Sequence, residues 1–242
     1  MFYIIGIGLH LNQMTLEAKA AIDTCDHIYI DNYTNILCQG DIQNLERVLN
    51  KKVILLNREE LEQKQEFIKN NSCLLVIGNA LSATTHYSII QDAKQKNINT
   101  KVIPGISIFS YKGIAGLYEY KFGRTISVVY PMPNYNPTSF YNTIIDNQKI
   151  KAHTMCLLDI KVNENRFMSI KDGCEILNKI DSNNYLENKT CIAFGGMGSE
   201  DQEIKTFIFK NFNKINLKQS PQTLIICGEL NEFENVAINE YR

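Results

Sequence analysis

Several apolar runs in this 242-residue chain end in short segments of small, uncharged residues. These segments are residues 6–9, 78–82, 105–108 and 195–199. Ligands bind at the carboxyl ends of strands in open α/β sheets. The segments therefore predict a binding site that is lined mainly by main-chain N–H and C=O groups and small side chains.

The pair Gly6-Ile7-Gly8 resembles the start of a dinucleotide-binding fingerprint, in which Asp31 would take the place of the ribose-binding acid. However, the third glycine of that fingerprint falls on Leu11, and the next helix is expected to begin only near Thr15. No helix N-terminus then adjoins the glycines to bind a phosphate. The alternatives are glycines that merely allow a tight strand exit, or a pocket for an adenosine-type ligand without phosphates, such as S-adenosylmethionine.

Composition narrows the class of protein further. The hydrophobic fraction of 44% is ample for a core, and a formal net charge of −1 gives no basic field for a nucleic-acid partner. The seven cysteines are scattered and form no CxxC pair, so we expect no disulfide framework. The four histidines are far apart and form no HExxH motif, so we expect no metal site. No basic leader or membrane-length apolar run is present, so we expect a cytoplasmic protein with no membrane association.

Apolar runs alternate with amphipathic stretches, a pattern typical of parallel sheets with crossover helices. The first group of predicted strands comprises residues 2–7, 27–30, 53–56, 73–77 and 101–103, with helices at 16–25, 45–49, 87–96 and from residue 58. The second group comprises strands 126–130, 154–158, 190–194 and 223–227, with helices at 140–146 and 171–180. We therefore predict two α/β domains with mostly parallel sheets, residues 1–112 and 124–242.

Several short motifs occur in an order that resembles the diphthine synthases, a diphthamide-biosynthesis family with the tetrapyrrole-methylase-like fold. The motifs are the opening MFYIIGIGL, Tyr33-Thr34, Asn57-Arg58-Glu59, the ATTH of residues 83–86, Ser107-Ile108, Gly116-Leu117, the YKFG of 120–123, Pro137-Thr138-Ser139, His153-Thr154 and the LDIK of 158–161. The similarity extends from residue 1 to about residue 230.

The resemblance implies S-adenosylmethionine, leaving as S-adenosylhomocysteine, in a cleft between two domains of a homodimer. It implies elongation factor 2 as the protein substrate, at a histidine whose 3-amino-3-carboxypropyl amine is methylated repeatedly. The cofactor contacts carried over from the family are Leu9, Asn79, Ser82, Ser107, Ile108, Leu158, Met197 and Gln222.

Three segments depart from the family pattern. The loop that usually reads Gly-Asp-Pro is Gly78-Asn79-Ala80, an arginine-containing segment is replaced by residues 195–198, and a common histidine is Gln222. Asn79 can hydrogen-bond a ribose but offers no negative charge, or it merely caps a turn. Two alternatives therefore stay open: a small-molecule methylase acting on a tetrapyrrole, and a non-catalytic relative that binds a partner.

Methyl transfer requires alignment and exclusion of water rather than a nucleophilic side chain, so we assign no catalytic residue. His86 and His153 are candidates as proton acceptors, although packed, hydrogen-bonded histidines are the alternative. Tyr120 and Lys121 are expected either at a functional surface or in packing between domains. Residues 130–135 are a candidate loop for the protein substrate, or a solvated connection.

Overall fold

A computed structural model of the chain describes residues 1–31, 36–38, 41–133 and 136–242. The motif Tyr33-Thr34 and part of the candidate substrate loop, including Tyr135, lie outside the described residues. The chain divides into two compact units. One comprises Met1–Ser110 with Lys161–Asn165, and the other comprises Tyr111–Ile160 with Arg166–Arg242. The domain limits of 1–112 and 124–242 stay a prediction.

The first unit contains a parallel sheet with strand order β3-β2-β4-β1-β5. Its elements in chain order are β1 (Phe2–Gly6), α1 (Leu16–Asp23), β2 (His27–Asp31), α2 (Ile42–Leu49), β3 (Ile54–Leu56), β4 (Ser72–Val76), α3 (Tyr87–Gln95) and β5 (Thr100–Ile103). Each corresponds to a predicted strand or helix, with small shifts at the ends. The helix expected from residue 58 is instead one π turn, Glu60–Lys64.

Local sequence accounts for these elements. Strand β4 is buried throughout, as its continuous apolar run predicts. Thr15 caps α1 as predicted, because its Oγ1 accepts a hydrogen bond of 3.0 Å from the main-chain N–H of Ala18. Strand β1 lies between β4 and β5, and its side chains alternate between two core layers, Ile5 in one and Phe2 and Ile4 in the other.

The second unit has its own five-stranded sheet in the described part of the chain, with order β11-β10-β12-β7-β6. The elements are β6 (Ile126–Val128), α4 (Ser139–Lys149), β7 (Thr154–Leu158), β8 (Ile160–Lys161), β9 (Arg166–Phe167), α5 (Ile170–Ile180), β10 (Thr190–Gly195), β11 (Glu203–Ile208), β12 (Gln222–Ile226) and α6 (Glu232–Asn239). Short 3₁₀ segments complete both units, at Leu11–Gln13, Ile108–Tyr111, Glu119–Lys121, Val162–Glu164 and Phe209–Lys214.

The α/β class is confirmed, but the pairing in the second sheet differs from the predicted, mostly parallel one. Among its described strands, only β6 and β7 pair in parallel, whereas the pairs β7–β12, β12–β10 and β10–β11 are antiparallel. Residues 196–202 between β10 and β11 are too few for a crossover helix, which enforces a hairpin. Strand β11 was not predicted, because its burial is partial and its sequence EIKTFI mixes charged and apolar residues.

The cysteines behave as predicted from their apolar neighbourhoods, since all seven are free and buried. Among the described residues, no group of three or more His, Cys, Asp or Glu side chains is arranged to hold a metal ion. Within the same residues, no helix has both the length and the apolar character needed to cross a membrane.

The buried carboxylate of Glu234 organises the second unit. It accepts hydrogen bonds from the main-chain N–H groups of Tyr118, at 3.1 Å, and Asn231, at 3.0 Å, and it forms a short ion pair with Lys121. The Nε2 of His153 lies 3.1 Å from the same carboxylate. Burial opposes the ionisation of Glu234, but these hydrogen bonds outweigh burial and hold its pKa at about 2.

His153 is held in one tautomer within this cluster. Its Nδ1 accepts a hydrogen bond of 2.9 Å from the N–H of Gly228, so the ring proton resides on Nε2 and is donated to Glu234. The main chain of His153 also bonds to its surroundings, since its N–H donates to Lys121 and its C=O accepts from Gly123. Burial lowers the pKa of His153 below 6.5, although Glu234 partly opposes that change.

We predict that Glu234→Gln lowers the free energy of unfolding at neutral pH by about 3 kcal/mol, because it leaves Lys121 without its buried partner. Both pKa values are depressed, so the unfolded state binds more protons in acid. Stability of the unsubstituted protein should therefore fall as the pH drops below 6.5, the ordinary His value, and further from 4.5 towards 2 as Glu234 protonates. The substitution should flatten the lower part of this profile.

Denaturant unfolding across the acidic range measures both effects, with Glu229→Gln as the matched control. Glu229 is exposed and pairs with exposed Lys151, so its substitution should change stability by less than about 1 kcal/mol. Equal stability of the two variants would contradict an organising role for Glu234.

Candidate functional site

Three loops of the first unit meet at the carboxyl ends of β1, β4 and β5. The N–H of Gly78 donates to the C=O of Gly8 at 2.8 Å, and the N–H of Gly8 donates to the C=O of Gly78 at 3.2 Å. A Cβ at Gly6 would lie only 2.6 Å from the nitrogen of Gly105 and 2.7 Å from the oxygen of Gly78. The close approach of the three loops therefore requires glycine.

Two predicted contact residues of the first unit gather around Gly78. The position of a Cβ on Gly78 is 3.6 Å from Leu9 Cδ2 and 3.8 Å from Ser107 Cβ. A Cβ there would make ordinary van der Waals contacts, but the backbone of Gly78 has a φ of +86°, a conformation that favours glycine. Ile108, next to Ser107, is partly exposed. The structure thus brings Leu9 and Ser107 together beside the loop that follows β4.

Asn79 lies in that loop and is partly exposed. Its Oδ1 accepts a hydrogen bond of 3.1 Å from the N–H of Leu81, and its C=O accepts one of 3.3 Å from the N–H of Ser82. The side-chain oxygen therefore stabilises the turn, as one of the two predicted roles requires. Nδ2 of Asn79 has no hydrogen-bond partner in the part of the chain that the structure describes.

His86 and Asp31 form a buried pair behind the same loop. Nδ1 of His86 lies 3.2 Å from the C=O of Ala80, and Nε2 lies 3.2 Å from Oδ2 of Asp31. The exposed fractions of the two side chains are 2% and 1%. Asp31 is therefore not placed to hydrogen-bond a ribose, and His86 is not accessible as a proton acceptor. The sequence carried no signal for this pair, because its members are 55 positions apart.

Three predicted contact residues of the second unit are buried. Leu158, at the end of β7, packs against Gly173 of α5, where an added Cβ would lie 2.9 Å from Leu158 Cδ2. Met197 follows β10, in a loop where Gly196 and Gly198 have positive φ angles. The Gln222 amide is fully used: Oε1 accepts from the N–H of Ile170 at 2.7 Å, and Nε2 donates to two main-chain carbonyls.

The other candidates from the family motifs also have structural partners. Both ring nitrogens of His153 are engaged, since Nε2 donates to Glu234 and Nδ1 accepts from Gly228, and this does not favour His153 as a proton acceptor. Lys121 pairs with Glu234, whereas the neighbouring Tyr120 is 82% exposed. Asp159 of the LDIK motif accepts a hydrogen bond of 3.1 Å from the N–H of Tyr130 and so fixes the start of the candidate substrate loop.

Comparison of the sequence with protein families and with known proteins identifies relatives of the same kind. The model of the tetrapyrrole (corrin/porphyrin) methylases matches residues 1–210. A diphthine synthase from Staphylothermus marinus is 35% identical over 243 residues, which cover 97% of this chain and 91% of the relative. The diphthine methyl ester synthase of Kluyveromyces lactis is 34% identical over 253 residues, covering 94% and 85%.

A solved structure described as diphthine synthase superimposes with a TM-score of 0.89 at 25% identity, and covers 100% of this chain and 96% of the other. Three observations indicate the same family. They are the glycine-rich loops after parallel strands, the ATTH, YKFG and LDIK segments, and the similarity to these relatives. The chain belongs to the tetrapyrrole methylase family, among its diphthine synthases.

Proposed function

We propose that the protein transfers methyl groups from S-adenosylmethionine to the amine of the modified histidine of elongation factor 2, in diphthamide biosynthesis. Its curated relatives are named diphthine synthase or diphthine methyl ester synthase, and both names describe methylation in that pathway. This supports the elongation-factor substrate over a tetrapyrrole.

The observation that carries the proposal is the meeting of the loops after β1, β4 and β5. Residues 6–14, 78–86 and 104–110 include neither lysine nor arginine, the residues that most often bind a phosphate. The N–H and C=O groups of Gly8 and Gly78 bond to each other, so the loops offer their remaining main-chain groups, the apolar Leu9 and the hydroxyl of Ser107. This set fits the nucleoside and the uncharged surfaces of S-adenosylmethionine, which contains no phosphate.

S-adenosylmethionine, when bound, supplies a methyl group on a positively charged sulfur. In our proposal Leu9, Ser107 and Ile108 provide the wall of the site, and Asn79 and Ser82 provide polar contacts. For the second unit we propose Leu158, Met197 and Gln222, with contacts through main-chain atoms because the side chains are buried. These residues bind, orient and exclude water. The amine of the substrate is the nucleophile, and solvent can take its proton, so no catalytic side chain is assigned.

We predict that incubation with S-adenosylmethionine increases the mass of elongation factor 2 carrying the 3-amino-3-carboxypropyl histidine by a whole number of methyl groups. Intact-protein mass spectrometry measures the product. Elongation factor 2 without the modification is the control and should stay unchanged. Methylation of a tetrapyrrole instead would support the alternative methylase, and calorimetric binding of S-adenosylhomocysteine without any transfer would support a non-catalytic relative.

We predict that Asn79→Ala weakens binding of S-adenosylmethionine and S-adenosylhomocysteine alike, by about 0.5–1.5 kcal/mol, because it removes one neutral hydrogen bond. Asn79→Asp keeps the oxygen that accepts from Leu81 and adds a negative charge. It should tighten binding of S-adenosylmethionine more than binding of S-adenosylhomocysteine, which lacks the sulfonium charge, since charge-assisted hydrogen bonds are about twice as strong as neutral ones.

Calorimetric titration of each variant with both ligands measures this difference, and S-adenosylhomocysteine, which lacks the sulfonium charge but keeps the ammonium and carboxylate groups, is the control. If Asn79→Asp leaves both affinities unchanged and lowers the melting temperature, the carboxylate has no cation of the ligand nearby. Asn79 would then be a turn residue only, and its assignment to the site would be wrong.

We further propose that the protein is a cytoplasmic homodimer, as the family resemblance implies. Sedimentation at micromolar concentration should then give a species of twice the 27.7 kDa chain mass. A single species at the mass of one chain would contradict the dimer.

A further inference from the structure

The His86 side chain ties the loop after β4 to the end of β2. His86 immediately precedes α3, and its C=O accepts a hydrogen bond of 3.0 Å from the N–H of Ile89. Its ring extends from this anchored position to the C=O of Ala80 and to the carboxylate of Asp31, the last residue of β2. The ring therefore connects three separate segments of the first unit.

The chemistry of the three groups fixes the direction of the hydrogen bond to the loop. A carbonyl oxygen only accepts, so Nδ1 of His86 carries a proton and donates it to Ala80. On the other side, the contact between Nε2 and Oδ2 of Asp31 is within ion-pair distance but is not an aligned hydrogen bond. The bond to Ala80 is therefore the directional link, and the carboxylate of Asp31 lies beside the other ring nitrogen.

In the middle of the loop that receives this bond, Ala80 packs in the hydrophobic core of the first unit, and its C=O accepts the hydrogen bond from His86. Ala80 itself is fully buried, so its carbonyl would lose its partner without His86. The hydrogen bonds within the loop, from Leu81 and Ser82 to Asn79, join neighbours and do not anchor the loop to the sheet. Gly78 is anchored through Gly8 at one end, and the Ala80–His86 bond anchors the middle.

We propose that His86 is a positioning residue for cofactor binding: its bond to Ala80 holds Asn79 and Ser82 where they contact the adenosyl ligand. The inference rests on the proposed function, because it requires that residues 78–82 bind S-adenosylmethionine. His86 acts through the loop and does not touch the ligand, since its side chain is 2% exposed.

Two amide substitutions separate the two sides of the ring. In His86→Asn the amide nitrogen takes the place of Nδ1 and keeps the bond to Ala80, whereas in His86→Gln the amide reaches towards Asp31 and the bond to Ala80 is lost. We expect His86→Gln to weaken S-adenosylhomocysteine binding by roughly tenfold, the loss of one buried hydrogen bond, and His86→Asn by less than about threefold. His86→Gln should raise the KM for S-adenosylmethionine with kcat nearly unchanged.

Hydrogen exchange in the ligand-free protein tests the positioning without the cofactor. The amides of Leu81 and Ser82 should exchange faster in His86→Gln than in His86→Asn or the unsubstituted protein. Equal exchange and equal affinity of the two variants would overturn the inference. If the unsubstituted protein binds no S-adenosylhomocysteine, the proposed function fails, and the exchange rates alone decide whether His86 positions the loop.

Thermal unfolding accompanies both measurements. Should His86→Gln fail to fold, His86→Asn decides: affinity within about threefold of the unsubstituted protein supports the inference, and a tenfold loss overturns it.

Discussion

The close contact of main-chain atoms at Gly6, Gly78 and Gly105 is the constraint on which the candidate site depends. These residues end β1 or follow β4 and β5, the three adjacent strands of the first sheet. Since a Cβ at Gly6 would come within 3 Å of the other two loops, any larger residue there would force them apart. Only residues without a Cβ allow this approach of three loop backbones at the edge of the sheet.

Different interactions hold the loops of the two units in place. In the first unit, glycines allow backbones to approach, and the buried His86 and Asp31 lie behind the loop. In the second, a fully buried carboxylate receives donors from Tyr118, Lys121, His153 and Asn231. A buried carboxylate is tolerated only when its oxygens are saturated with donors. Glu234 meets this condition, and it thereby ties the segment before β6 to β7 and α6.

The sequence predicted the central strands β1, β2 and β4 of the first unit well because they are almost entirely buried and rich in apolar residues. The edge strands β3 and β5 are short and partly exposed. The second sheet was harder. Antiparallel pairing of β10, β11 and β12 depends on the lengths of their connections, and β11 is only partly buried, so hydrophobicity alone does not mark it. Of the site, the loops and the gathering of Leu9 and Ser107 at Gly78 follow from the strand ends. The links of His86 to Asp31 and of Glu234 to His153 join residues far apart in the chain, and no local pattern reveals them.

Several side chains of the motifs that indicate the family hold loops of this protein in place. The departure from the family pattern at Asn79 affects such a loop. Lys121 and His153 belong to the Glu234 cluster, Asp159 holds Tyr130, and His86 holds Ala80, so the motif side chains fix loops from behind. Asn79 differs from the family aspartate in charge but retains the oxygen that accepts from Leu81. Because the turn depends on that oxygen and on the bond between His86 and Ala80, its shape does not require a carboxylate. The departure therefore changes the electrostatic potential at the loop, whereas the turn itself does not depend on a charge at this position.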